Sequence, residues 1–140
     1  MSFREKSTWV TFVVILLAFG LYFGEIGRKL IIHSPDGIHP PALFALLIVF
    51  VILVEIVAHV LMAARSPQDA QAAKDERDRF IALKATRPAF FVLLVGAFLS
   101  IGTMHLGASV WLLAHCVLLS IWIAELTRLG SQIYYYRAPV

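Results

Sequence analysis

Charge is what this sequence has least of. Asp, Glu, Lys and Arg make up 15% of the 140 residues, against about a quarter in a soluble domain. Apolar residues fill the difference at 60%, and the mean hydropathy is +0.83. That surplus is too large to be enclosed by a polar surface in water, so the solvent of most of the chain is lipid. Cysteine is nearly missing. The single Cys116 excludes an internal disulfide, and no Cys/His spacing matches a zinc site. The net charge of +3 gives no reason to expect a nucleic-acid partner. No nucleophilic triad, phosphate loop or catalytic carboxylate pair stands out, so nothing argues for an enzyme. No small-x-small cleavage site follows the first apolar run cleanly, and that run is read as a retained helix.

What the chain does have is four long apolar runs, near positions 8–24, 42–64, 88–103 and 108–126. About 20 residues cross the hydrocarbon core, and each run is near that length. Ser7 or Thr8 can cap the first, and Trp9 suits the headgroup level. An amphipathic extension follows from Glu25 to Ile32, and Pro40 and Pro41 break the chain before run two. Pro88 opens run three, where proline is well tolerated. The expected fold is all-α: one transmembrane domain over 1–140, an integral membrane four-helix bundle.

Lys and Arg set the orientation. Arg4 and Lys6 precede run one, and Arg65, Lys74, Arg77, Arg79, Lys84 and Arg87 fall between runs two and three. Arg128 and Arg137 follow Glu125 near the end of run four. With four crossings all of these share one side, and only Arg28 and Lys29 fall on the other. The positive-inside rule then places both termini and the loop 65–87 in the cytoplasm. The opposite loops, His33–Pro41 and Met104–Gly107, are short and carry few charges.

The central loop has a polar part, Ser66–Ala72, and a part with helical periodicity, Asp75–Arg87. The second sets Phe80, Ile81 and Leu83 among charges. It is an amphipathic cytoplasmic segment before helix three, lying on the membrane surface or extending the helix through acid–base pairs. The two halves of the chain follow one order: a basic lead-in, a helix, an outer loop, and a helix with a late glutamate, Glu55 or Glu125. That order is a parallel repeat of organisation more than of residues.

Ionisable groups at membrane depth are costly and need partners. Glu55 and His59 are four apart and share a helix face. His59 and Glu125 are each about seventeen residues from the outer start of their runs, which predicts similar depth. The expectation is an intramembrane polar cluster of Glu55, His59 and Glu125. It is either a proton or cation site or interhelical glue, with Glu125 beside Arg128. Two membrane histidines also raise a haem reading. His59 and His115 differ by about ten residues in depth, or ~15 Å, too far for one iron. His115 is expected to bond a neighbouring carbonyl or serine. His33, His39 and His105 are too scattered for a metal site. No metal and no cofactor is expected. Gly20, Gly24, Gly96 and Gly102 can admit close helix approach, and Tyr134–Tyr136 with Arg137 form an aromatic–basic belt.

Four segments carry a resemblance. Met1–Val10 (MSFREKSTWV), the central Asp75–Arg87 (DERDRFIALKATR), Glu55–Val60 in the second run and Tyr134–Arg137 resemble a family of small four-helix bacterial inner-membrane proteins, a domain of unknown function. The resemblance covers most of the chain and implies four helices in a bacterial inner membrane, with no catalytic residues to carry over. The ending Arg137–Val140 departs from it, because a second basic residue is expected after the tyrosines.

The leading functional expectation is an accessory, regulatory or assembly subunit. Asp75, Glu76, Arg77 and Arg79 would contact a membrane protein partner or lipid headgroups, and no nucleic acid is involved. The alternative is a small dimeric proton- or cation-coupled transporter or channel using Glu55, His59 and Glu125.

Overall fold

A computed structural model describes residues 2–31, 41–68 and 75–138. Four α-helices dominate it: α1 (Phe3–Ile31), α2 (Pro41–Arg65), α3 (Glu76–His105) and α4 (Val110–Arg137). No strand occurs among the described residues. All four helices are long and apolar enough to cross a membrane, which makes this a multi-pass membrane protein. Large apolar side chains such as Leu21, Phe50, Phe91 and Phe98 are more than half exposed, as lipid-facing residues are. The loop from His33 to Pro40, and Asp69 to Lys74, lie outside the described residues.

The first three expected runs lie inside longer helices, and the fourth, 108–126, begins two residues before α4, whose N-cap is Ser109. α1 starts at Phe3 because Ser2 caps it, its hydroxyl oxygen accepting from the Glu5 amide at 3.1 Å. Ser7 and Thr8 are therefore interior, not caps, and the Thr8 hydroxyl donates to the Arg4 carbonyl at 2.9 Å. α4 continues past Leu126 to Arg137, since no proline interrupts it before Pro139. α3 takes in Glu76–Arg87 as its first turns, with Asp75 as its N-cap, so that segment is a helix extension.

Pro88 is inside α3 and does not begin it. A proline there donates no hydrogen bond to the Lys84 carbonyl and crowds it, at a cost of ~3 kcal/mol. The helix persists because Ile81, Ala85 and Ala89 recur every four residues across it and are buried. Packing on both sides of the proline overrides the local preference.

The chain divides into two compact units, Met1–Ala72 and Ala73–Val140. The first is an antiparallel pair, α1 against α2. Ser7 meets His59 and Thr11 meets Glu55. Eleven residues further along α1, and eleven back along α2, the Tyr22 and Phe44 rings meet at 5.5 Å. One register therefore holds over most of the pair.

The second unit is the hairpin of α3 and α4. Its turn is fixed by glycine. Gly107 adopts φ +77°, its amide donates to the Met104 carbonyl and the Ala108 amide donates to that of Thr103. This is a Schellman closure. Ser109 then starts α4, its hydroxyl oxygen accepting from the Leu112 amide at 3.3 Å. The helices approach through small residues: Ala85, Ala89 and Ser100 of α3, and Ser120 and Ala124 of α4, are all buried. At 30 and 28 residues these helices measure ~45 and ~42 Å, well beyond a hydrocarbon core of ~30 Å.

Candidate functional site

The densest polar group inside a span is built by the α1–α2 register. Glu55 and His59 lie one turn apart on α2, and Thr11 and Ser7 lie one turn apart on α1. The Thr11 hydroxyl donates to Glu55 Oε2 at 2.9 Å. His59 Nδ1 is 2.8 Å from the Glu55 backbone oxygen and 3.3 Å from its Oε2. A carbonyl only accepts, so Nδ1 carries the proton. His59 Nε2 then faces Ser7 Oγ at 2.7 Å. It accepts the serine proton when the ring is neutral and donates to the serine oxygen when the ring is charged. Ser7 can serve both states by rotating its hydroxyl.

Glu55 is only half satisfied. Its Oε1 is buried and has no hydrogen-bond partner among the described residues. Its side chain is 19% exposed and that of His59 39%. A buried acceptor without a donor costs about 1–3 kcal/mol. A proton or a small cation is the kind of guest that would relieve it.

Glu125, the third expected member, is engaged within its own unit. Arg128 Nε donates to Glu125 Oε2 at 2.8 Å, and its Nη2 binds Glu125 Oε1. The fork is bidentate and offsets both charges. Within the first unit, Glu55 and His59 bond the α1 hydroxyls of Thr11 and Ser7. Ser7 is a contact across the pair and not a cap, and Thr11 is a partner that the sequence expectations do not include. The signal was present, because the two hydroxyls repeat the four-residue spacing of Glu55 and His59.

The charged segment of α3 is anchored at its inner face. The Tyr136 hydroxyl donates to Asp78 Oδ1 at 3.2 Å, and Arg77 Nη2 reaches the Tyr136 carbonyl at 3.5 Å. The Lys84 ammonium lies 4.5 Å from the centre of the Tyr135 ring. Two of the three expected belt tyrosines are thus engaged by α3. Asp75, Glu76, Arg77 and Arg79 are all exposed. Asp75 is the N-cap residue, with no side-chain capping bond.

His115 donates from Nδ1 to the Trp111 carbonyl at 2.8 Å, and its ring stacks on Trp111 at 3.9 Å. His105 is exposed at the end of α3, while His33 and His39 lie outside the described residues. Among the described residues, no three His, Cys, Asp or Glu side chains come together as metal ligands. Of the expected glycines, Gly96 is a close-approach point, whereas a Cβ on Gly24 or Gly102 would meet nothing within 4 Å.

No family model matches the chain, and no curated protein and no solved structure is significantly similar to it.

Proposed function

We propose that the chain is a small accessory or assembly subunit of a bacterial inner membrane, with both termini and the start of α3 in the cytoplasm. The observation that carries the reading is the exposed charged ridge on the first turns of α3. Asp75, Glu76, Arg77 and Arg79 are exposed, Arg77 also reaching the Tyr136 carbonyl, while Asp78 and Lys84 hold the helix to Tyr136 and Tyr135. A rigid, multiply charged helix end protruding from the apolar spans suits docking on a partner, since little order is lost on binding.

The charge pattern of each unit supports the orientation. At one end of the first unit stand Arg4, Lys6 and Arg65. At its other end Arg28 and Lys29 are tied to one carboxylate, Glu25, at 2.7 and 3.9 Å. The α3–α4 turn has no Lys or Arg at all. The resemblance to four-helix inner-membrane proteins points the same way.

The test is extraction in mild detergent, followed by native mass and identification of what copurifies. A stoichiometric partner, lost from the Arg77→Glu, Arg79→Glu variant while insertion is kept, is the expected result. Retention of the partner by that variant removes the ridge as its contact.

A second reading, a dimeric proton- or cation-coupled transporter, is favoured by one observation: the unpartnered Glu55 Oε1 beside Thr11, His59 and Ser7. Glu125, paired with Arg128, is the third residue this reading uses. Proton flux in liposomes, lost in Glu55→Gln, is the expected result; absence of flux from the wild-type protein ends the idea.

A further inference from the structure

Between α3 and α4 runs an open groove of about 530 Å³. Phe91, Val95 and Leu99 form one wall, Leu119 and Ile123 the other, and Cys116 lies at its far end. The floor holds Gly96, Ser100 and Ser120, but it offers little to a polar guest. The Ser100 hydroxyl donates to the Gly96 carbonyl at 2.7 Å and the Ser120 hydroxyl to that of Cys116 at 2.8 Å. The groove extends from Phe91 to Thr103. At 1.5 Å per residue that is ~18 Å, close to the ~15 Å depth of one hydrocarbon leaflet.

The two ends of the groove differ. Toward the start of α3, one turn beyond Phe91, stands Arg87, with Lys84 just beyond it. Both are exposed, and neither has an ion pair among the described residues. Lys84 rests on the faces of Tyr135 and Phe80, at 4.5 and 5.9 Å from their centres, which leaves its charge without an anion. On α4, one turn beyond Ile123, Thr127 adds a hydroxyl to the same end. The opposite end, His105 to Ser109, carries no Lys or Arg.

An apolar channel one leaflet long, with unpaired cations at one mouth only, matches an amphiphile with one anionic head. We propose that this groove binds an anionic phospholipid, one acyl chain along Val95 and Leu119 and the phosphate on Arg87 and Lys84. A zwitterionic lipid would fill the channel but leave the cations uncompensated. A helix of a second copy would need to bring an acidic residue to Arg87. The proposal is independent of both readings of the function.

The full chain, purified in a neutral detergent, is titrated with dioleoyl phosphatidylglycerol or dioleoyl phosphatidylcholine and examined by native mass spectrometry. One phosphatidylglycerol is retained in preference to phosphatidylcholine. At about fivefold per basic residue, the preference is on the order of 25-fold. Lys84→Gln with Arg87→Gln abolishes the preference, Arg65→Gln, at an exposed residue of the other unit, keeps it, and Val95→Phe weakens retention of both lipids. Phosphatidylglycerol also slows alkylation of Cys116, the only thiol, by N-ethylmaleimide. Equal retention of the two lipids by the wild-type protein overturns the proposal. So does a preference that survives loss of Lys84 and Arg87, or protection of Cys116 that follows protein concentration and not lipid. Arg87→Gln alone, which leaves the Lys84 contact with Tyr135 in place, should lower the preference about fivefold, so the test stands even if Val95→Phe fails to fold.

Discussion

Gly96 faces Ser120 so closely that a Cβ on the glycine would lie 2.5 Å from the serine Oγ and 2.6 Å from its Cβ. The two helices touch here because one residue has no side chain. Gly96→Ala should therefore destabilise the α3–α4 hairpin by about 1–3 kcal/mol, as overpacking does. Adding Ser120→Gly should restore part of the loss, whereas Gly102→Ala, in open space, should be silent. Thermal unfolding in detergent measures all three.

The pair Ser7 and His59 should show coupling. Removing the hydroxyl in Ser7→Ala leaves Nε2 without its 2.7 Å partner. A double-mutant cycle of Ser7→Ala with His59→Phe is expected to give ~0.6–2 kcal/mol, the range for polar bonds between membrane helices. A coupling energy near zero would mean that the contact contributes nothing to pairing α1 with α2.

Gly107 tests conformational cost without steric cost. A Cβ there meets nothing within 4 Å, yet φ is +77°. Gly107→Ala should cost ~1–2 kcal/mol of hairpin stability and Gly107→Asn less, since asparagine tolerates this region. Equal stability of the three proteins would show that the turn relaxes to another geometry.

The head of α3 should loosen when Tyr136 loses its hydroxyl. Tyr136→Phe removes the bond to Asp78 and should cost about 0.5–1.5 kcal/mol locally. Hydrogen exchange is expected to rise over residues 76–84 and to stay constant over the spans. Uniform exchange across α3 would place the anchoring elsewhere, on Lys84 and Tyr135.

Much of the architecture was legible in the hydropathy alone, because spans of this length are set by the bilayer and not by tertiary detail. The helix ends were not. Glu25–Ile32 and Asp75–Arg87 read as an amphipathic extension and a helical segment, and with no breaker in them α1 runs on to Ile31 and α3 begins at Glu76, but the full reach of α1 back to Phe3 and of α4 on to Arg137 was not read. Pro88 misled because its preference for a first turn is strong; the spacing of Ile81, Ala85 and Ala89 across it was the better signal. Of the polar cluster, the Glu55–His59 half was readable from a four-residue spacing on one helix. Its partners depended on the α1–α2 register, which no single helix encodes. Glu125 has Arg128 three residues away and forms a local pair with it.

The tight turn at Gly107 has an electrical consequence. Leu106 to Ser109 contribute no formal charge, and over positions 25–40 the acids Glu25 and Asp36 balance Arg28 and Lys29. Carrying one net charge through a membrane involves about 2.3 kcal/mol of work per 100 mV. For both hairpins that work is close to zero. Each can insert as a closed pair of helices with the membrane voltage neither driving nor resisting it, so insertion should proceed equally in energised and de-energised membranes.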